Sequence, residues 1–149
     1  MKALIQRVSG ASVSVDGEMV GRIDRGMVVF VGIAKADTEE DARYLVKKIL
    51  NLRIFADAED RFNLSPLDII GELLVVSQFT LLADTRKGRR PSFTEAAAPA
   101  QAEELFQYFI TQAQSSGLKV ATGRFQQYMQ VEIHNDGPVT IMLDSKDKI

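Results

Sequence analysis

Residues 2–33 read KALIQRVSGASVSVDGEMVGRIDRGMVVFVGI. Ala11, Val13 and Val15 alternate with Ser12, Ser14 and Asp16, the period of a strand with one buried face, and Asp16-Gly17 marks a turn. The stretch predicts strand, hairpin, strand. Asp24-Arg25-Gly26 marks the next turn, and Met27 to Val31 is apolar on both faces, as a central strand covered on both sides must be. The chain therefore begins by laying down a sheet, and its remaining segments have to cover or extend it.

Thr38 can cap a helix whose apolar positions Ala42, Leu45, Val46, Ile49 and Leu50 share one face, ending near Asn51. Leu52 to Phe55 and Arg61 to Leu64 read as short strands around the acidic turn Asp57-Ala58-Glu59-Asp60, which lacks the glycine and spacing of a calcium loop. Glu72 to Ala83, ELLVVSQFTLLA, reads as one long apolar strand, followed by a polar, basic loop to about Ala98. Pro99 suits the first position of a helix to about Gln114 that buries Leu105, Phe106, Phe109, Ile110 and Ala113, with Gly117 as its stop. Strands are expected again at Leu118–Thr122, Tyr128–His134 and Val139–Leu143. The expected architecture is α+β: a mainly antiparallel, curved or barrel-like β-sheet system with two packed helices, in one domain over residues 1–149.

Composition narrows the chemistry. The 149 residues include no cysteine and one histidine, His134, which excludes thiol nucleophiles, disulfides and multi-histidine metal sites. Walker, dinucleotide-binding, nucleophile-elbow and metalloprotease signatures are absent, so no metal or cofactor is expected. The formal charge of −2 gives the whole molecule no attraction to a polyanion, so any nucleic-acid contact must be local. No apolar run approaches the roughly 18 residues of a membrane span, and Gln6 and Arg7 interrupt any leader-like start, so a cytoplasmic protein without a membrane partner is expected.

Two segments stand out. Ser77-Gln78-Phe79-Thr80 inserts three hydrogen-bonding side chains into a run that otherwise reads as buried strand, and each would cost about 1 to 3 kcal/mol if buried unpaired. Either the strand emerges at a sheet edge there, or these groups line a cavity. Asn135-Asp136-Gly137-Pro138-Val139-Thr140 reads as a hairpin turn, yet a Gly-Pro pair also exposes carbonyls with little side chain in front of them. Between the two, Arg86, Lys87, Arg89 and Arg90 concentrate charge on one loop, either as solvated decoration or as phosphate contacts.

SQFTL at 77–81 and NDGPVT at 135–140, on a chain that begins MKALIQRV, together resemble D-aminoacyl-tRNA deacylase over essentially the whole length. The resemblance implies a homodimer that hydrolyses the ester between a D-amino acid and the terminal adenosine of tRNA, accepts glycyl-tRNA(Ala) and rejects L-aminoacyl-tRNA. It implies that Ser77, Gln78, Phe79 and Thr80 line the catalytic pocket, with main-chain N–H groups near Phe79 and Thr80 facing the oxyanion. It further implies that Gly137 and Pro138 form a Gly-cisPro element acting in the other subunit, and that the tRNA 2′-hydroxyl activates water in preference to Thr80. Arg86, Lys87, Arg89 and Arg90 would hold tRNA, with DNA not expected as a partner. Arg7 would brace the Gly-Pro turn, unless it is an ordinary surface or core-edge arginine. Two other readings stay open: an L-alanyl-tRNA deacylase of the same fold, and a non-catalytic RNA-binding module.

Overall fold

The computed structural model describes residues 1–149. Every antiparallel pair of the main sheet contains β1 (Lys2–Val15). The first half of β1 pairs with β3 (Gly26–Gly32), from Lys2 opposite Gly32 to Val8 opposite Gly26. Its second half pairs with β2 (Glu18–Ile23), which follows the Asp16-Gly17 turn. The other edge of β1 is taken along its length by β8 (Gln130–Asp144), from Lys2 opposite Asp144 to Ser14 opposite Gln130.

α1 (Glu39–Leu50) and α3 (Pro99–Gln114) then act as crossovers. They bring β6 (Glu72–Ser77) parallel to β3, and β7 (Val120–Thr122) parallel to β6. β2 approaches β6 and β7, so the sheet curls into a nearly closed barrel. β4 (Phe55–Ala56) and β5 (Phe62–Leu64) form a separate two-stranded ribbon. No helix is long and apolar enough to cross a membrane.

Both faces of β3 are apolar because both are covered. Met27, Val29 and Val31 join Ala3, Ile5, Leu73 and Val75 under α1 and α3, whereas Val28 joins Val8, Ala11, Val13, Ile23, Leu74 and Val76 inside the barrel. β1 serves both clusters by changing faces. Between Val8 opposite Asn135 and Gly10 opposite His134, β1 advances two residues and β8 one, a bulge that reverses the in-out alternation.

Several sequence expectations are corrected. The segment 72–83 is not one strand: β6 stops at Ser77, and Phe79–Leu82 wind into a 3-10 turn. Val31 opposite Ser77 is the last pair of the β3–β6 ladder and β3 ends at Gly32, leaving no neighbour on which to extend. Residues 130–144 are one strand, and Asp136 to Val139 are a bulge in it rather than a hairpin turn. There are three α-helices, not two. The additional one, α2 (Pro66–Ile69), is a single turn with Pro66 at its start, where Ser65 Oγ accepts from Asp68 N–H at 3.1 Å and Ser65 N–H donates to Asp68 Oδ2 at 2.8 Å.

Asp41 ties the start of α1 to the chain's last residues. It accepts from Thr38 N–H at 2.8 Å and from Lys148 Nζ at 2.8 Å, and it is buried. Burial alone would raise its pKa, but the hydrogen bonds from Lys148, Thr38 and Ser145 outweigh burial and hold the carboxyl well below the ordinary 3.8. A carboxylate whose folded value is depressed stabilises the protein above its unfolded value, and that contribution is lost as pH falls through the folded one. Lys148→Ala should therefore lower the urea midpoint at pH 7. The difference from the parent protein should close progressively below about pH 4, as read from urea titrations at stepped pH.

Candidate active site

The end of β6 sets the site. Gln78 N–H donates to Val31 O at 2.7 Å, the last main-chain bond toward β3, after which the backbone turns. Leu81 N–H returns to Gln78 O at 3.2 Å, and Ala83 N–H to Thr80 O at 3.1 Å. The N–H groups of Phe79 and Thr80 begin this 3-10 turn and have no acceptor within it. Gln78 Nε2 donates to Thr80 Oγ1, which fixes the two polar side chains against each other.

The turn lies tightly on β3 because residue 32 is glycine. A Cβ there would stand 2.5 Å from Leu82 Cδ2 and 3.0 Å from the Gln78 carbonyl oxygen.

Ser77, Gln78, Phe79 and Thr80 together line a cleft of about 940 Å³, within the range of small-ligand sites. Phe93, Ala96 and Ala97 also line it, as do Phe125 to Met129 on the connection from β7 to β8, of which Gln126, Gln127 and Tyr128 are exposed. Phe79 is 58% exposed and meets Phe93 edge-on, ring centroids 5.0 Å apart. No carboxylate, histidine, lysine or arginine lines this cleft. His134 is exposed on β8.

The basic loop hangs beside the cleft. Asp84 and Ser92 close its base with reciprocal main-chain bonds of 2.8 and 2.9 Å, and Phe93 follows directly. Within the loop the four cations are not equivalent. Arg86 donates through Nε and Nη2 to the two Asp84 oxygens at 2.9 and 2.7 Å. Those bonds hold the Asp84 carboxyl down at about 2. Lys87, Arg89 and Arg90 are exposed.

Gly137 and Pro138 lie elsewhere. From Gln6 opposite Thr140 to Val8 opposite Asn135, β1 advances two residues while β8 advances five, so β8 carries three extra residues there. The Gly137–Pro138 peptide is cis, both residues are exposed, and neither lines the cleft of the same chain.

Arg7 lies beneath this bulge. Its Nε donates to Asp136 O at 2.9 Å, its Nη1 donates to Ile54 O at 2.7 Å, and its guanidinium lies 5.3 Å from the Phe62 ring centroid. Gly137 has φ +129°, a conformation that requires glycine, and a Cβ on it would also stand 2.8 Å from Arg7 Nη2, so that the guanidinium would have to give way.

Sequence reading found the 77–80 segment but not Phe93, Phe125, Tyr128 or Met129. These reach the cleft through tertiary packing, and no motif or periodicity marked them.

Fold and site define the class as a barrel-like α+β domain with a cleft at the end of a parallel strand, offering amide and hydroxyl groups beside a basic loop. A family profile described as D-Tyr-tRNA(Tyr) deacylase matches residues 4–144. Proteins named D-aminoacyl-tRNA deacylase are 61% identical over 149 residues in Dehalococcoides mccartyi (strain ATCC BAA-2266 / KCTC 15142 / 195), covering 100% of this chain and 97% of that protein. In Fervidobacterium nodosum (strain ATCC 35602 / DSM 5306 / Rt17-B1) the identity is 55% over 146 residues, covering 98% of each. A solved structure named "c-Myc DNA Unwinding Element Binding Protein" superposes with TM-score 0.91 at 44% identity, covering 97% of this chain and 98% of that one. A probable eukaryotic D-amino acid tRNA deacylase, at 20% identity, shares the fold with TM-score 0.83 over 95% of this chain and 97% of its own. The chain belongs to the D-Tyr-tRNA(Tyr) deacylase family.

The close contact at Gly32 gives a test of how the site is held. Gly32→Ala should cost about 1 to 3 kcal/mol by overpacking, measured as a shift in urea midpoint. The far end of Leu82 can move aside, but the Gln78 carbonyl cannot move without the turn, so enzymatic activity should fall in preparations that remain fully folded by circular dichroism.

Proposed function

We propose that the chain hydrolyses the ester joining a D-amino acid to the terminal adenosine of tRNA, accepts glycyl-tRNA(Ala) and rejects L-aminoacyl-tRNA. The observation that carries the mechanism is the absence of any carboxylate, histidine, lysine or arginine from the cleft lining. A protein general base has no candidate there, whereas the ribose 2′-hydroxyl beside the ester is brought by the substrate itself. Water, activated by that hydroxyl, adds to the ester carbonyl carbon. The free N–H groups of Phe79 and Thr80 face the developing oxyanion, and the carbon–oxygen bond to the 3′ oxygen breaks to leave a ribose hydroxyl and a free amino acid. Ser77 and Gln78 position the ester, with the Thr80 hydroxyl engaged by Gln78.

Chirality is read by exclusion in this reading. Gly137 and Pro138 of a second copy enter the cleft, hold the substrate amino group through carbonyl oxygens and crowd the side on which an L side chain would project. A D side chain points to open space, and glycine has nothing to exclude. Two features support action between copies: Gly137 and Pro138 are exposed and outside their own cleft, and β8 is hydrogen-bonded on one edge only. Arg7 holds the bulge in shape, and the loop at 86–90 contacts phosphates.

The deciding experiment is release of amino acid from D- and L-tyrosyl-tRNA side by side. D-Tyrosyl and glycyl esters should be hydrolysed and L-tyrosyl spared, and equal release of both enantiomers or retention of both overturns the proposal. In the same assay Thr80→Ala should keep activity within about tenfold, while a D-tyrosyl ester on tRNA ending in 2′-deoxyadenosine should be nearly inert.

Salt dependence tests the loop. Exchanging Lys87, Arg89 and Arg90 for alanine should weaken tRNA binding and flatten the log Kd against log salt slope by about 0.7 to 0.9 for each phosphate no longer neutralised. Arg86→Ala should change the slope less, because Asp84 already holds that guanidinium.

A further inference from the structure

Among the exposed large hydrophobic side chains, two also line the cleft, Phe79 and Tyr128. Phe79 has an aromatic partner in Phe93. Tyr128 has no such partner and is 94% exposed, the most open aromatic ring in the molecule.

Its backbone is anchored. Between β7 and β8, Phe125 packs against the core residue Phe106 with centroids 6.1 Å apart, and Gln127 N–H donates to Arg124 O at 3.3 Å. Met129 packs against the barrel interior on the C-terminal side. The ring is thus carried at the mouth of the cleft by a loop fixed on both sides of it. An isolated exposed aromatic on a surface needs no explanation, but one fixed at the rim of a site that takes the end of a nucleic acid offers a flat face for a base.

We infer that Tyr128 is a substrate-binding residue that stacks on the base of the nucleotide preceding the terminal adenosine. The inference rests on the aminoacyl-tRNA reading of the cleft. Phe79, Phe93 and Phe125 already offer aromatic faces within the cleft for the terminal base, and Tyr128, exposed among the lining residues, is placed for the base before it. Stacking uses the π face and not the hydroxyl, so phenylalanine can replace this tyrosine and the base's identity matters little.

The test compares the parent protein, Tyr128→Phe and Tyr128→Ala on three esters: D-tyrosyl-tRNA, the same tRNA lacking only the base before the terminal adenosine, and D-tyrosyl-adenosine. On intact tRNA, Tyr128→Ala should lose about tenfold in kcat/KM, mainly through KM, and Tyr128→Phe should lose little. Removing the base should cost the parent protein the same factor and cost Tyr128→Ala nothing more. All three proteins should hydrolyse D-tyrosyl-adenosine alike.

An equal loss on D-tyrosyl-adenosine, an undiminished loss on the abasic tRNA, or no loss on intact tRNA overturns the inference. So does a fall in sedimentation mass in Tyr128→Ala, which would make the ring a contact between copies. If the parent protein spares every D-tyrosyl ester, it is the deacylase reading that has failed, and the inference with it.

Discussion

The pairing of β1 with β8 is the constraint from which the rest of the structure follows. Ala3 and Ile5 pair with Leu143 and Ile141 on the helix side, while Ala11 and Val13 pair with Ile133 and Val131 on the barrel side. Both strands exchange their faces at one place: β1 by one extra residue near Ser9, and β8 by three extra residues from Asp136 to Val139. Odd insertions on both strands keep the apolar pairs in step across the exchange, so one pair of strands supplies two separate cores. Either bulge without the other would set apolar residues of one strand against the solvent side of its neighbour.

The cleft is a consequence of where another ladder ends. β3 and β6 run parallel until Val31 and Ser77, and at that point the sheet has no more strand to offer. The backbone winds away with two N–H groups unpaired, and Gly32 lets it remain close to the sheet while it does so. Carboxyl ends of parallel strands are where ligand crevices form in open α/β sheets, and the same geometry recurs here in a curled mixed sheet.

Much of this was legible in the sequence, for identifiable reasons. The hairpin at Asp16-Gly17, the doubly covered strand at Met27 and the helices behind Thr38 and Pro99 are written in local periodicity and capping residues. α2 was legible in principle, because Ser65-Pro66 followed by Asp68 is a start signal, but four residues leave no periodicity to read. The end of β6 and the bulge in β8 depend on what lies opposite each residue, which a single strand's sequence does not record. Polarity at Ser77 to Thr80 marked the place of the site without its shape. Arg7 illustrates the same limit: its two carbonyl acceptors, on Asp136 and Ile54, are distant in sequence and meet only in the folded chain.

The three extra residues in β8 carry an arithmetic beyond their chemistry. If the segment from Asp136 to Val139 were lengthened or shortened by one residue and the change passed into the ladder as a one-residue slip, Ile141 and Leu143 would turn out of the helix-side core and Thr140 and Met142 would turn in. The segment is thus coupled, through the register of the residues after it, to the packing of a core that it enters only at Val139. A one-residue change in this loop is therefore compatible with the fold only where the bulge itself takes it up and leaves Ile141 opposite Ile5.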